Sequence, residues 1–131
     1  AARKGYTLTL FGRRRYFDGI KSPIPYIKAA AERMALNAPF QGTAADLFKI
    51  AVLRVDEYLQ KQKGPPDSRQ GYLLLQVHDE LVFEVEEGAV KEIAPKLKEL
   101  MEGVIPEKDR KGIPILAEGK VGKNWGEMQK I

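Results

Sequence analysis

A chain of 131 residues is long enough to bury one hydrophobic core without staples, and the lack of cysteine excludes a disulfide framework, a thiolate metal site and thiol-based regulation. Its apolar runs fall short of the roughly 18 residues that span a bilayer, and the opening Ala1-Ala2-Arg3-Lys4-Gly5 has no secretory core, so one soluble intracellular unit is expected. The net charge of +4 is concentrated at one end: residues 1–33 hold eight Lys and Arg against Asp18 and Glu32, a balance suited to a polyanion or to plain solvation.

The first residue is alanine, and the expectation is a piece of a longer chain. Gly5 to Phe17 alternates loosely, with Tyr6, Leu8 and Leu10 in step and Phe11-Gly12 as a turn, which reads as a β-hairpin. In its second half Arg13, Arg14 and Arg15 offer guanidinium groups to phosphates, although alternation on a strand lets at most two face one surface. Charge also protects a sheet edge, so that alternative stays open.

After Ser22-Pro23-Ile24-Pro25, strong helix formers from Tyr26 to about Leu36 predict a helix stopped at Asn37-Ala38-Pro39, where proline breaks or kinks it. A second helix is expected to restart near Gly42-Thr43, capped by Thr43 with Asp46 three residues on. Its apolar stripe is Leu47, Phe48, Ala51, Val52, Val55 and Leu59. Arg33, Asn37 and Gln41 fall four apart and share a face if Pro39 only kinks the backbone. Asn and Gln carry donors and acceptors matched to the minor-groove positions common to all base pairs, and a solvated helix face is the plainer alternative.

Lys63 to Ser68 reads as a loop by composition. Two short runs follow, Tyr72–Val77 and Leu81–Val85, read as adjacent antiparallel strands buried on both faces and separated by His78-Asp79-Glu80. Glycine is missing from that turn, but His and Asp both tolerate positive φ. A carboxylate fixed on a rigid sheet is a hard ligand suited to Mg²⁺, which makes Asp79 the candidate metal ligand; a solvated turn is the competing reading. His78 can donate to a phosphate or sugar oxygen, or simply pack.

Val90 to Val104 has helical spacing, with Glu86 and Glu87 at its positive start and Pro95 expected to kink it early. Ile113–Val121 supplies a last strand or extended segment, and Gly122-Lys123-Asn124-Trp125 leads into a polar tail, with Trp125 expected to pack onto the body. Gly119-Lys120-Val121-Gly122-Lys123-Asn124 lacks the spacing and the hydroxyl residue of a phosphate loop. The fold class is therefore α+β: an antiparallel sheet with β-hairpins packed against two or three helices.

Gln76-Val77-His78-Asp79-Glu80 resembles the third motif of family A DNA polymerases. Three further blocks extend the resemblance in the same order. Gly5-Tyr6-Thr7 with Thr9 to Arg15 is similar to the segment after the fingers, and Glu32-Arg33 through Asn37 to Asp46 is similar to the palm helix beside primer and template. Gly122 to Trp125 is similar to the closing segment. The resemblance implies a carboxy-terminal palm fragment spanning residues 1–131. In it Asp79 is one of two metal-binding catalytic aspartates, Glu80 a neighbouring carboxylate of lesser role, and His78 lies against the primer end. Arg33, Asn37 and Gln41 would contact the minor groove, and Arg13 and Arg14 would be hairpin contacts to DNA.

The implied cofactor is Mg²⁺ in a two-metal site with one main ligand here. The implied partners are primer-template DNA, deoxynucleoside triphosphates and the rest of the polymerase chain, in a cytoplasmic, nucleoid-associated or organellar setting. The second aspartate and the fingers helix that clamps the triphosphate precede Gly5 in the family order, so the isolated chain is expected to be inactive. A non-catalytic duplex-binding module is the alternative. A nuclease would need a larger acidic cluster, and an RNA-recognition module an aromatic stacking pair that is not evident.

Overall fold

The computed structural model describes residues 1–64 and 68–131, and its contacts form two compact units, Ala1–Leu47 and Phe48–Ile131, where length alone suggested one. Helix α1, Pro25–Lys61, belongs to both. The α+β class is borne out, with the strands among the described residues arranged as four separate antiparallel pairs.

In the first unit β1 (Tyr6–Leu8) pairs with β2 (Arg14–Tyr16) in the register Tyr6 with Tyr16, Thr7 with Arg15 and Leu8 with Arg14. Gly12, at φ 83°, turns the chain where an L side chain would be strained. The Thr9 amide donates to the Arg13 carbonyl (2.9 Å), and the Thr9 hydroxyl accepts the Arg13 amide (3.1 Å). A 3₁₀ turn over Asp18–Lys21 leads to α1, whose first residue, Pro25, has its φ already set for a helix. The small core consists of Phe17, Ile20, Ala31, Ala35 and Ala38, so the buried side of α1 here is a row of alanines.

Two expectations about α1 are corrected. The helix runs unbroken through Asn37-Ala38-Pro39 for 37 residues instead of stopping and restarting. A proline inside a helix removes one hydrogen bond, and thirty-six helix-compatible neighbours outweigh that local loss. Thr43 and Asp46, deep inside the helix, therefore cap nothing and serve another purpose described below.

In the second unit β3 (Lys63–Gly64) pairs with β4 (Ser68–Arg69), so the loop expected over Lys63–Ser68 contains a short ladder; its Pro65-Pro66-Asp67 portion lies outside the described residues. Strands β5 (Gly71–Val77) and β6 (Glu80–Val85) form the main hairpin. Leu73, Leu81, Phe83 and Val85 pack against a core of Val55, Leu59, Ala89, Ile93 and Leu97. Gly71 is required by that packing, since a Cβ there would lie 2.9 Å from Leu59 Cδ2. The strands are not buried on both faces: Tyr72, Leu74 and Leu75 on β5 remain 44%, 51% and 48% exposed, because helices cover one side only.

A 3₁₀ turn at Glu87–Ala89, preceded by Glu86, enters α2 (Val90–Glu102), which continues through Pro95. Its C-terminal carbonyls are met by cations, as suits the negative helix end. Arg54 Nη1 donates to the Gly103 carbonyl (2.8 Å), and Arg110, on the short helix α3 (Glu107–Arg110), donates to the Glu102 and Ile105 carbonyls.

The last expected strand shrinks to β7 (Lys120–Val121), and the supposed polar tail turns back to pair β8 (Gln129–Lys130) with it. Asn124 makes this turn, its Oδ1 accepting the Gly126 amide and its Nδ2 donating to Glu127. Trp125, expected to pack onto the body, sits in the turn and remains 54% exposed. No helix is long and apolar enough to cross a membrane among the described residues.

Candidate functional site

Val77 pairs with Glu80, which leaves His78 and Asp79 as the two-residue loop between β5 and β6. His78 takes φ 53°, the left-handed conformation such a tight reversal demands. His78, Asp79 and Glu80 are all exposed, so the Asp79 carboxylate is open to a ligand from outside the chain. A register shift between Leu73 and Leu75 marks a bulge a few residues before the loop. Bulges increase local twist and re-aim the strand end, a device common beside functional sites. Beyond it Leu81 still faces the helices, while Glu80, its neighbour in the alternation, lies on the opposite face. Asp79 thus stands at the tip and Glu80 on the outer side. No group of three or more acidic or histidine side chains gathers there or elsewhere among the described residues.

In the first unit Arg33, Asn37 and Gln41 are all exposed, and the unbroken helix keeps them in one row at intervals of four. Opposite lies the buried row Ala31, Ala35 and Ala38. The β1–β2 hairpin is clamped to the same helix through the residues first read as a cap. The Leu10 amide donates to Thr43 Oγ1 (2.9 Å), Arg13 Nε to Asp46 Oδ1 (2.7 Å) and Arg13 Nη2 to the Gly42 carbonyl (3.1 Å). Gly42 permits this approach, for a Cβ would come within 2.7 Å of Thr9 Cγ2.

The three arginines are therefore unequal. Arg13 is engaged by Asp46, whose side chain is only 11% exposed. Arg14 lies 4.9 Å from the Tyr6 ring centre, and the neighbouring Tyr16 and Tyr6 hydroxyls raise its pKa above the ordinary guanidinium value. Arg15 is on the other side of the strand, 5.5 Å from the Phe17 ring centre, and lines a cavity of about 210 Å³ with Thr7 and Gln41. Thr43, Asp46 and Gly42 were not singled out as positioning residues from the sequence. The only local signal was the excess of helix formers on both sides of Pro39, which favours one helix and frees Thr43 and Asp46 from capping.

The model of DNA polymerase family A matches residues 1–127. Over 97% of its length the chain is 44% identical to DNA polymerase I of Pseudomonas aeruginosa, spanning 13% of that protein. It is 42% identical to the thermostable DNA polymerase I of Thermus aquaticus, over 94% of this chain and 14% of that protein. Its similarity to DNA polymerase theta of Drosophila melanogaster is 35% identity over the whole chain and 6% of that protein. Among solved structures, the POL domain of Pol1 from M. smegmatis, in complex with DNA primer-template and dNTP, matches 79% of this chain and 18% of its own with a TM-score of 0.70 and 43% identity.

Proposed function

The chain belongs to DNA polymerase family A, and from that premise we propose that it is the carboxy-terminal part of a polymerase palm, contributing one catalytic aspartate and a duplex-binding surface to nucleotide addition at a primer 3′ end. The reading carries with it a role in DNA replication and repair, primer-template DNA and deoxynucleoside triphosphates as partners of the complete enzyme, and a cytoplasmic setting. The observation that carries it is the exposed Asp79 at the tip of a two-residue loop on a packed hairpin.

One exposed carboxylate, with Glu80 adjacent, fits part of a Mg²⁺ site, since Mg²⁺ is commonly held by one or two carboxylates and keeps several waters. Asp79 would hold the ion together with a carboxylate from elsewhere in the enzyme. When bound, the metal pair activates the attacking hydroxyl and stabilises the leaving oxygen. The contribution of this chain is positional. The loop fixes Asp79, His78 beside it can donate to a sugar or phosphate oxygen, and Arg33, Asn37 and Gln41 offer a polar row to the minor groove of the nascent duplex. Glu80, on the outer side of β6, supports the charge of the site rather than sharing the tip.

In a longer polymerase chain carrying these residues, Asp79→Ala is expected to lower primer extension by about 10²–10³-fold or more while leaving duplex affinity largely intact. Extension at the unsubstituted rate would overturn the catalytic reading and leave a duplex-binding module. The 131-residue chain alone, given primed template, Mg²⁺ and deoxynucleotides, is expected not to extend.

A further inference from the structure

The three consecutive arginines of the hairpin look equivalent in sequence, and the fold separates them. Arg13 spends Nε and Nη2 on Asp46 and Gly42, so its charge is largely used inside the unit. Arg14 lies against the Tyr6 ring on the opposite side of the hairpin from Arg15, away from the two cavities that Arg15 lines. Arg15 is exposed, and among the described residues its guanidinium has neither a hydrogen bond nor an ion pair. It nevertheless has a defined place, over the Phe17 ring, which leaves the charge and all donors available.

Two cavities of this unit meet at Arg15. One, of about 210 Å³, is shared with Thr7, directly across the ladder, and with Gln41 of the exposed polar row on α1. The other, of about 410 Å³, extends beside Tyr26 and Met34. Among the described residues, an unpaired cation thus borders a recess of mixed polar and apolar lining, next to the Thr7 hydroxyl, which can donate. That set of groups suits a phosphate diester better than a base edge, because guanidinium N–H groups match phosphate oxygens and nothing around them selects a base.

We propose that Arg15, and not Arg13 or Arg14, is the residue with which the β1–β2 hairpin holds a DNA backbone phosphate, with Thr7 as a neighbouring donor. The assignment rests on the duplex-binding reading above and names the contact through which the hairpin takes part.

The test is the salt dependence of binding between the full chain and a fluorescein-labelled primed duplex, read by anisotropy between about 50 and 200 mM salt. Loss of one phosphate contact makes the slope of log K against log salt less steep by about 0.9. Arg15→Gln is expected to show that change equally on duplexes of different sequence, Arg15→Lys to keep the original slope, and Arg14→Gln to keep it too. Circular dichroism establishes that each variant is folded. An Arg15→Gln slope equal to the unsubstituted one, or an Arg14→Gln change of the same size, overturns the assignment while leaving duplex binding in place. If the unsubstituted chain shows no salt-dependent binding at all, the duplex-binding reading fails, and this assignment falls with it.

Discussion

His78 carries two demands that can be separated by substitution. Its φ of 53° is costly for most side chains, of order 1–3 kcal/mol, and the two-residue loop between Val77 and Glu80 imposes it. Glycine adopts the same conformation without that cost but loses more entropy on folding, so His78→Gly is expected to change stability by no more than about 1 kcal/mol in either direction. His78→Val, branched at Cβ, is expected to lose about 1–2 kcal/mol in urea unfolding. If the imidazole also donates to the primer end, His78→Gly weakens primed-duplex binding at unchanged stability; equal affinity would reduce His78 to a turn residue. The loop itself was legible because two apolar runs flanked it and His and Asp tolerate its geometry. Thr43 and Asp46 were misread because a hydroxyl and a carboxylate three residues apart suit a helix start as well as a docking point. The deciding partners, Leu10 and Arg13, lie about thirty residues away in sequence.

Between elements, the first unit depends on one hairpin being fastened to one helix. The core there is small, built from three alanines with Phe17 and Ile20, so polar links carry an unusual share of the docking. A hydrogen bond to a charged group contributes about 1.5–3 kcal/mol, and with Asp46 11% exposed but Arg13 half exposed, solvent screening brings this bond toward the lower end of that range. Arg13→Ala is accordingly expected to lower unfolding stability by about 1–3 kcal/mol. A double-mutant cycle with Asp46→Ala should return a coupling of about 1 kcal/mol or more, and a coupling near zero would mean that the hairpin is held by other contacts. Helix α1 shows the limit of local reasoning at this scale. Pro39 is a valid stop signal by itself, yet the helix continues, since the alanine row on one side of it and the Val55–Leu59 stripe on the other are each held by their own core. The strand pairs were easier to read: alternation and turn residues located β1–β2 and β5–β6 within a residue or two. Within the β7–β8 pair, β7 falls at the end of the expected last strand, while β8 was missed because a strand of two residues leaves no periodicity to detect.

At the scale of the whole molecule, β5–β6 is a two-stranded sheet whose edges, among the described residues, are both unpaired and whose outer face is open. Sequence reasoning placed these strands in a fully buried sheet from their continuous apolar runs, and the chain covers only the inner face. The outer face exposes Tyr72, Leu74 and Leu75, each 44% or more, and apolar patches of this kind are interaction surfaces or aggregation liabilities. The chain spans 13% of the Pseudomonas aeruginosa relative, so a protein of that length has ample further sequence to lay against such a face. The isolated chain is therefore expected to bind 8-anilinonaphthalene-1-sulfonate and to self-associate as its concentration rises, seen as a growing weight-average mass in sedimentation velocity. Replacing Leu74 and Leu75 together by serine should suppress both signals at unchanged circular dichroism, because neither residue belongs to the packed cluster. In a longer polymerase chain that buries this face the same pair of changes should instead destabilise, by roughly 1.5–3 kcal/mol for each leucine removed from a covered position. A monodisperse, dye-negative isolated chain would mean that the open face is tolerated in water as it stands, and that its apolar side chains answer to no missing cover.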